Sequence, residues 1–200
     1  MASPLAWAHF TRPFPGEPES GDLHLVASFE GGVLLAVIDG LGHGPEAAAA
    51  ARAAARVLAA EPSREPLELQ RLCHHALRGS RGAAALVVSL RFGPSHFLWA
   101  GIGNIEGYRI RRAGAGSERM ALISTAGVVG YQMASQRQGE GALAHGDLFV
   151  LATDGISPEF MADVAALDEP DEIAAAIAGK HARTTDDALV LVARYGGARP

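Results

Sequence analysis

Three times along this chain an apolar run ends in a tight turn and another run begins at once. Glu30-Gly31-Gly32 joins Leu23–Phe29 to Val33–Ile38, a turn at Gly93-Pro94 joins Ala83–Arg91 to His96–Ile102, and Gly103-Asn104 leads on to Glu106–Arg112. Parallel neighbours need a crossover of about a dozen residues or more, so strands joined this closely pair antiparallel. Two more strands are predicted over Asp147–Thr153, after a turn at His145-Gly146, and over Ala188–Ala193. Pro13–Gly21 reads as a loop leading into the first strand at Leu23.

Helices come in adjacent pairs. Pro45 stands where a first helical turn tolerates proline, and Glu46–Ala60 holds almost nothing but strong helix formers. After the break at Pro62–Pro66, Leu67–Leu77 places Leu69, Leu72, Cys73, Ala76 and Leu77 on one face, with Gly79 as its stop. Two further helices are predicted over Pro158–Leu167 and Asp171–Ala178. Paired helices with antiparallel strands make an α+β fold, not a doubly wound one. Two hundred residues without a linker or repeat predict one domain over residues 1–200, its core spanning about 10–195.

Composition excludes several functions. A net charge of −5 with no Lys/Arg cluster argues against nucleic acid as the partner. No stretch of about 18 residues escapes charges and turn residues, and no basic, then apolar leader opens the chain, so neither a membrane span nor a signal peptide is expected. Cys73 is the single cysteine, which fits a reducing, cytoplasmic setting.

The chemistry lies in acids at strand ends. Asp22 follows Ser20-Gly21; Asp39-Gly40 ends one apolar run and Asp154-Gly155 another; Asp186-Asp187 opens the last strand. Carboxylates stranded at the mouths of buried strands are costly unless a cation compensates them. Oxygen ligands without a Cys/His set select Mg²⁺ or Mn²⁺. Gly40 is suited to lend its carbonyl, because without a side chain its backbone can approach an ion. Two ions about 4 Å apart can bridge one water, lower its pKa and hold a phosphate for in-line attack.

These pieces occur in an informative order. Ser20-Gly21-Asp22, Val37-Ile-Asp-Gly-Leu-Gly-His-Gly44, Ala100-Gly-Ile-Gly-Asn104, Gly146-Asp-Leu-Phe-Val-Leu-Ala-Thr-Asp-Gly155 and Thr185-Asp-Asp-Ala-Leu-Val-Leu-Val192 span nearly the whole chain. Together they resemble the metal-dependent protein serine/threonine phosphatases (PPM, or type 2C), most closely the bacterial SpoIIE-like branch. The resemblance implies a four-layer αββα sandwich, two antiparallel sheets stacked between helical layers, with two Mn²⁺ or Mg²⁺ ions at one edge. It implies that Asp39 bridges the ions, Gly40 gives its carbonyl, Asp154 and Asp186 complete one shell, and Asp22 binds directly or through water. Asp187 supports the site or exchanges roles with Asp186. The implied reaction is hydrolysis of phosphoserine or phosphothreonine by a metal-bridging hydroxide. Arg12 is the candidate for gripping the substrate phosphate. His43 lies two residues beyond the position where larger members carry a histidine; it either protonates the leaving alkoxide or caps the following helix. Freestanding members of this size imply a monomer acting on a phosphorylated STAS-domain protein of a stressosome or partner-switching pathway. A catalytically silent module that binds a phosphoprotein without turnover is the alternative, and a hydrolase of small phosphorylated molecules a third reading.

Other features read as structure. Gly101-Ile-Gly103 precedes a strand pattern and not the helix a dinucleotide fingerprint must open. Cys73 reads as core, His74-His75 as surface, and Phe97 and Trp99 as strand packing. Gly127–Gln132 falls where related enzymes carry a substrate-facing flap.

Overall fold

The computed structural model describes residues 4–113, 116–133, 136–164 and 168–197. Its strands, in chain order, are β1 (Leu5–Arg12), β2 (Asp22–Phe29), β3 (Gly32–Gly40), β4 (Ala83–Arg91), β5 (His96–Ile102), β6 (Glu106–Ala113), β7 (Gly116–Ala121), the short pair β8 (Gly127–Val128) and β9 (Gln132–Met133), β10 (Gly139–Ala142), β11 (Leu148–Ala152) and β12 (Ala188–Tyr195). Helices α1 (Pro45–Ala60) and α2 (Pro66–Ala76) lie between β3 and β4. A 3₁₀ turn at Pro158–Phe160, then α3 (Met161–Val164) and α4 (Pro170–His181), lie between β11 and β12.

Two five-stranded antiparallel sheets result, ordered β1-β12-β11-β6-β7 and β10-β5-β4-β3-β2. The central strands are apolar on both faces, and each face meets a different layer. From β3, Val33, Leu35 and Val37 point between the sheets, where they meet Phe149, Leu151, Leu189 and Leu191. Leu34, Ala36 and Ile38 point the other way, onto Ala51, Ala54 and Leu58 of α1 and Leu69 and Cys73 of α2. Val150, Val190 and Val192 cover the far side of the second sheet beneath Phe160, Ile173 and Ile177. Double burial explains why these strands read as unbroken apolar runs instead of alternating ones. The layers are α, β, β, α, the expected sandwich. Among the described residues no helix is long and apolar enough to cross a membrane.

The structure corrects the strand count. The first strand is β1, not Leu23–Phe29; it pairs with the far end of the chain, Leu5 opposite Tyr195 and Arg12 opposite Ala188. β7, β10 and the short pair β8–β9 are also additional. β1, β7 and β10 are sheet edges, burying too little surface to need an apolar run. β10 depends on glycine instead, since a Cβ at Gly139 would lie 2.1 Å from the Trp99 ring and one at Gly141 2.5 Å from Phe97. Where one helix is expected over Pro158–Leu167, the described residues form a 3₁₀ turn followed by α3, and residues 165–167 of that expectation lie outside the described residues.

Candidate metal centre

Four segments deliver acids to one end of the sandwich. β2 starts at Asp22 and β3 reaches Asp39 directly opposite it. β11 runs out into Thr153-Asp154-Gly155, and the turn before β12 carries Asp186 and Asp187. The glycines following the acids let these segments meet. A Cβ at Gly155 would lie 1.8 Å from the Asp187 carbonyl oxygen, and one at Gly40 would lie 2.1 Å from the Ala47 carbonyl oxygen in α1. Gly40 is therefore required by the approach of α1, a packing reason beside the one read from the sequence.

The acids are graded in depth. Asp22 and Asp187 are buried, at 6% and 3% exposure; Asp39 and Asp186 are half-buried and Asp154 is exposed. Asp39, Asp154 and Asp186 line an open cleft of about 360 Å³ together with His43, Asn104 and Phe14. Asp22 accepts from the Thr153 hydroxyl at 2.7 Å. Asn104 Nδ2 donates to Asp154 Oδ2 at 2.6 Å. Asp187 Oδ1 accepts the Phe14 backbone N–H at 2.8 Å, and Asp186 Oδ1 accepts the Asp187 N–H at 2.9 Å.

Their electrostatics are those of an anion cluster. Burial raises the Asp22 carboxyl above the ordinary range, and the charges of Asp39, Asp187 and Asp154 raise it further. Burial raises Asp39 likewise, followed by Asp154, Asp186 and Asp187. Asp186 shifts the same way, through burial and then Asp154. Like charges in a low-dielectric setting oppose ionisation unless a cation offsets them. Asp187 Oδ2 is buried and has no hydrogen-bond partner, the kind of orphaned oxygen that a cation or its water satisfies. Hard oxygen donors, mutual repulsion and an orphaned oxygen fit divalent cations of the Mg²⁺ or Mn²⁺ type. Among the described residues the acids converge without closing into a ready coordination shell of three.

The remaining expected residues fall at the rim. His43 does not cap α1: its neighbour Gly44 is the N-cap residue and the helix has no side-chain cap. Instead His43 Nδ1 lies 2.7 Å from Glu17 Oε1, and its ring stacks on Phe14 at 4.3 Å and 13°. Arg12 ends β1 and donates to the Arg183 carbonyl. Arg183 in turn donates from Nη1 to the Asp154 carbonyl at 3.1 Å.

Comparison with known proteins identifies the arrangement. The family model for stage II sporulation protein E (SpoIIE) matches residues 30–196. The chain belongs to the SpoIIE family. This family lies within the metal-dependent (PPM, type 2C) serine/threonine protein phosphatases. One solved structure, described as "The bacterial stressosome: a modular system that has been adapted to control secondary messenger signaling", is 33% identical, covers 95% of this chain and 99% of its own, and superposes with a TM-score of 0.84. RsbX in complex with magnesium is 19% identical with a TM-score of 0.85, covering 95% of this chain and 94% of its own. The catalytic domain of PstP with two manganese ions is 18% identical with a TM-score of 0.72, covering 95% and 97%; at these identities the last two speak for the fold. No curated protein matches in sequence.

Within this SpoIIE-family site, several residues escaped the sequence reading. Thr153 and Asn104 sit inside motifs already singled out, so the motifs pointed at them without giving their roles. Glu17, Phe14 and Arg183 lie in loops with no periodic or motif signal, and only the folded path brings them to the rim.

Proposed function

We propose that this protein hydrolyses phosphoserine or phosphothreonine on a signalling protein, with two Mn²⁺ or Mg²⁺ ions held by Asp39, the Gly40 carbonyl, Asp154 and Asp186, and with Asp22 and Asp187 behind them. The observation that carries this reading is the convergence of five carboxylates on one end of the sandwich in a SpoIIE-family chain, with Asp39, Asp154 and Asp186 lining an open cleft and Asp22 and Asp187 buried beside them. Asp186 is preferred over Asp187 as a direct ligand because it lines the cleft, whereas Asp187 is buried and does not.

When bound, such ions lower the pKa of water and neutralise phosphate charge. The chain's own residues do the rest. Asn104 and Thr153 fix Asp154 and Asp22 through single hydrogen bonds. Arg12 and Arg183 place two cations on the flank beside Asp154, where a phosphate dianion would be held. A water that has released one proton to solvent forms the new bond to phosphorus as the bond to the seryl or threonyl oxygen breaks. His43, exposed at the rim, gives that oxygen its proton.

An open site with exposed Asp154 and His43 suits a residue presented on a protein surface better than an enclosed small molecule. A phosphorylated STAS-domain protein of the stressosome kind is the proposed partner, supported by the 33%-identical stressosome structure. A soluble, monomeric, cytoplasmic enzyme of one domain completes the proposal. The test is p-nitrophenyl phosphate hydrolysis with Mn²⁺, Mg²⁺ or EDTA in wild type, Asp39→Asn and Asp154→Asn. Turnover that requires metal and vanishes in both variants is expected. Turnover indifferent to metal and to both acids would refute the assignment, and folded, metal-binding but inert wild type would identify a silent module.

A further inference from the structure

We propose that Glu17 is a positioning residue for His43, fixing which ring nitrogen delivers a proton to the leaving alkoxide. The proposal rests on the reading of His43 as that donor. An ionised carboxylate can only accept, so the 2.7 Å contact with Glu17 Oε1 requires the proton on Nδ1. Nε2 is then the nitrogen left to exchange a proton, on a ring that lines the cleft.

The surroundings hold that orientation from several sides. Phe14 stacks nearly parallel to the imidazole and is itself anchored through its backbone N–H to Asp187. Glu17 closes a turn onto the Phe14 carbonyl at 3.0 Å. The Glu17 carboxylate occupies the space over Gly44, where a Cβ would lie 2.5 Å from Oε2. Gly44 also has φ +74, a conformation L side chains rarely adopt. Residues 12–17 thus form a strap from the end of β1 across the cleft rim, ahead of the segment the SpoIIE model matches. A half-exposed histidine would otherwise sample several rotamers and both tautomers; the carboxylate and the stacked ring leave one arrangement. As the P–O bond breaks, its electron pair passes to the seryl oxygen, which takes the Nε2 proton; neutral His43 regains a proton from solvent.

The leaving group provides the test. A seryl alkoxide is strongly basic and needs a proton, whereas p-nitrophenolate is a stable anion that leaves without one. Wild type, His43→Asn, Glu17→Gln and Glu17→Asp are compared on a phosphoserine peptide and on p-nitrophenyl phosphate with Mn²⁺. His43→Asn is expected to lower kcat on the peptide about 100-fold or more. Glu17→Gln is expected to lower it about 10-fold or more, with a clearly smaller loss on the aryl ester, and Glu17→Asp, which keeps the charge, falls between. Independently of activity, ¹⁵N NMR of the metal-free protein is expected to show neutral His43 protonated on Nδ1 in wild type and on Nε2 in Glu17→Ala. Equal losses on both substrates, or an unchanged tautomer in Glu17→Ala, overturn the proposal. Selective loss in His43→Asn but not in Glu17→Gln overturns it alone. No selective loss in His43→Asn shows that His43 is not the donor, and the proposal falls with that reading.

Discussion

Asp22 and Asp39 face each other across the β2–β3 ladder, two acids in directly opposed positions at the end of a sheet. Like charges so placed destabilise a strand pair, and burial makes the repulsion harder to screen. The fold tolerates the pair at a cost in its metal-free stability.

Asp39→Asn should therefore stabilise the metal-free protein while removing metal-dependent turnover. Relief of about 1 kcal/mol would raise Tm by about 2–4 °C in a domain of this size. Wild type should gain about 5–10 °C with Mn²⁺ at about a hundred times its Kd, and the variant clearly less. Thermal scans with EDTA and with Mn²⁺ read both effects.

Two glycines should respond in opposite directions to alanine. Gly155→Ala drives a Cβ to 1.8 Å from the Asp187 carbonyl oxygen; it should separate the Asp154 and Asp186 segments, lowering both stability and turnover. Gly179, in α4, has nothing within 4 Å of a built Cβ. Gly179→Ala should raise stability by about 0.5–1 kcal/mol through helix propensity alone, with kcat unchanged. Urea denaturation of both variants measures the contrast.

Acid should weaken the β1–β2 side of the molecule. The His24 ring lies 3.8 Å from His9 and 5.7 Å from Trp7, and burial, then His9, lowers its pKa to about 4. The folded state thus holds this imidazole neutral, so between the unfolded value near 6.5 and about 4 the unfolded chain binds more protons. Its contribution is complete above that window and is lost as pH falls through it. Asp22 and Asp39, raised by burial, act in the opposite direction in the metal-free protein, so the reading is the difference between variants. With EDTA, the change in Tm from pH 7 to pH 5 should be more favourable in His24→Gln than in wild type, and an identical change would place the acid sensitivity elsewhere.

Cys73 lies in the core beneath α1 and β3, and burial pushes its thiol up to about 12. A thiol-specific disulfide reagent at pH 8 should leave the native protein unmodified and titrate one thiol per chain in guanidinium. Rapid labelling of the native protein would mean that α2 opens readily.

What could be read from the chain divides along burial. β3, β4, β11 and β12 bury both faces, and their apolar runs and tight turns give away both their positions and their antiparallel pairing. β1, β7 and β10 are edges; Leu5-Ala-Trp-Ala-His-Phe-Thr-Arg12 mixes polar and apolar residues because only part of its surface is covered. The acids were legible because Asp-Gly at the end of a buried strand breaks the local hydrophobic rule. The Glu17–His43 and Arg12–Arg183 contacts were not, since each needs a loop residue whose place depends on the whole path of the chain. Gly40 was legible in position, yet the closeness of the Ala47 carbonyl in α1 appears only once the helix is packed.

The β1–β12 pairing sets a schedule for synthesis on the ribosome. The sheet built from β10, β5, β4, β3 and β2 can close once Ala142 has emerged, and of the clustered acids it carries only Asp22 and Asp39. β12, the last strand made, inserts between the first strand and β11, and the turn just before it brings Asp186 and Asp187. On the proposed assignment, a nascent chain that has not yet reached β12 lacks Asp186 and Asp187 and is expected to be inert, so a copy broken off before that point would not erase a phosphate signal.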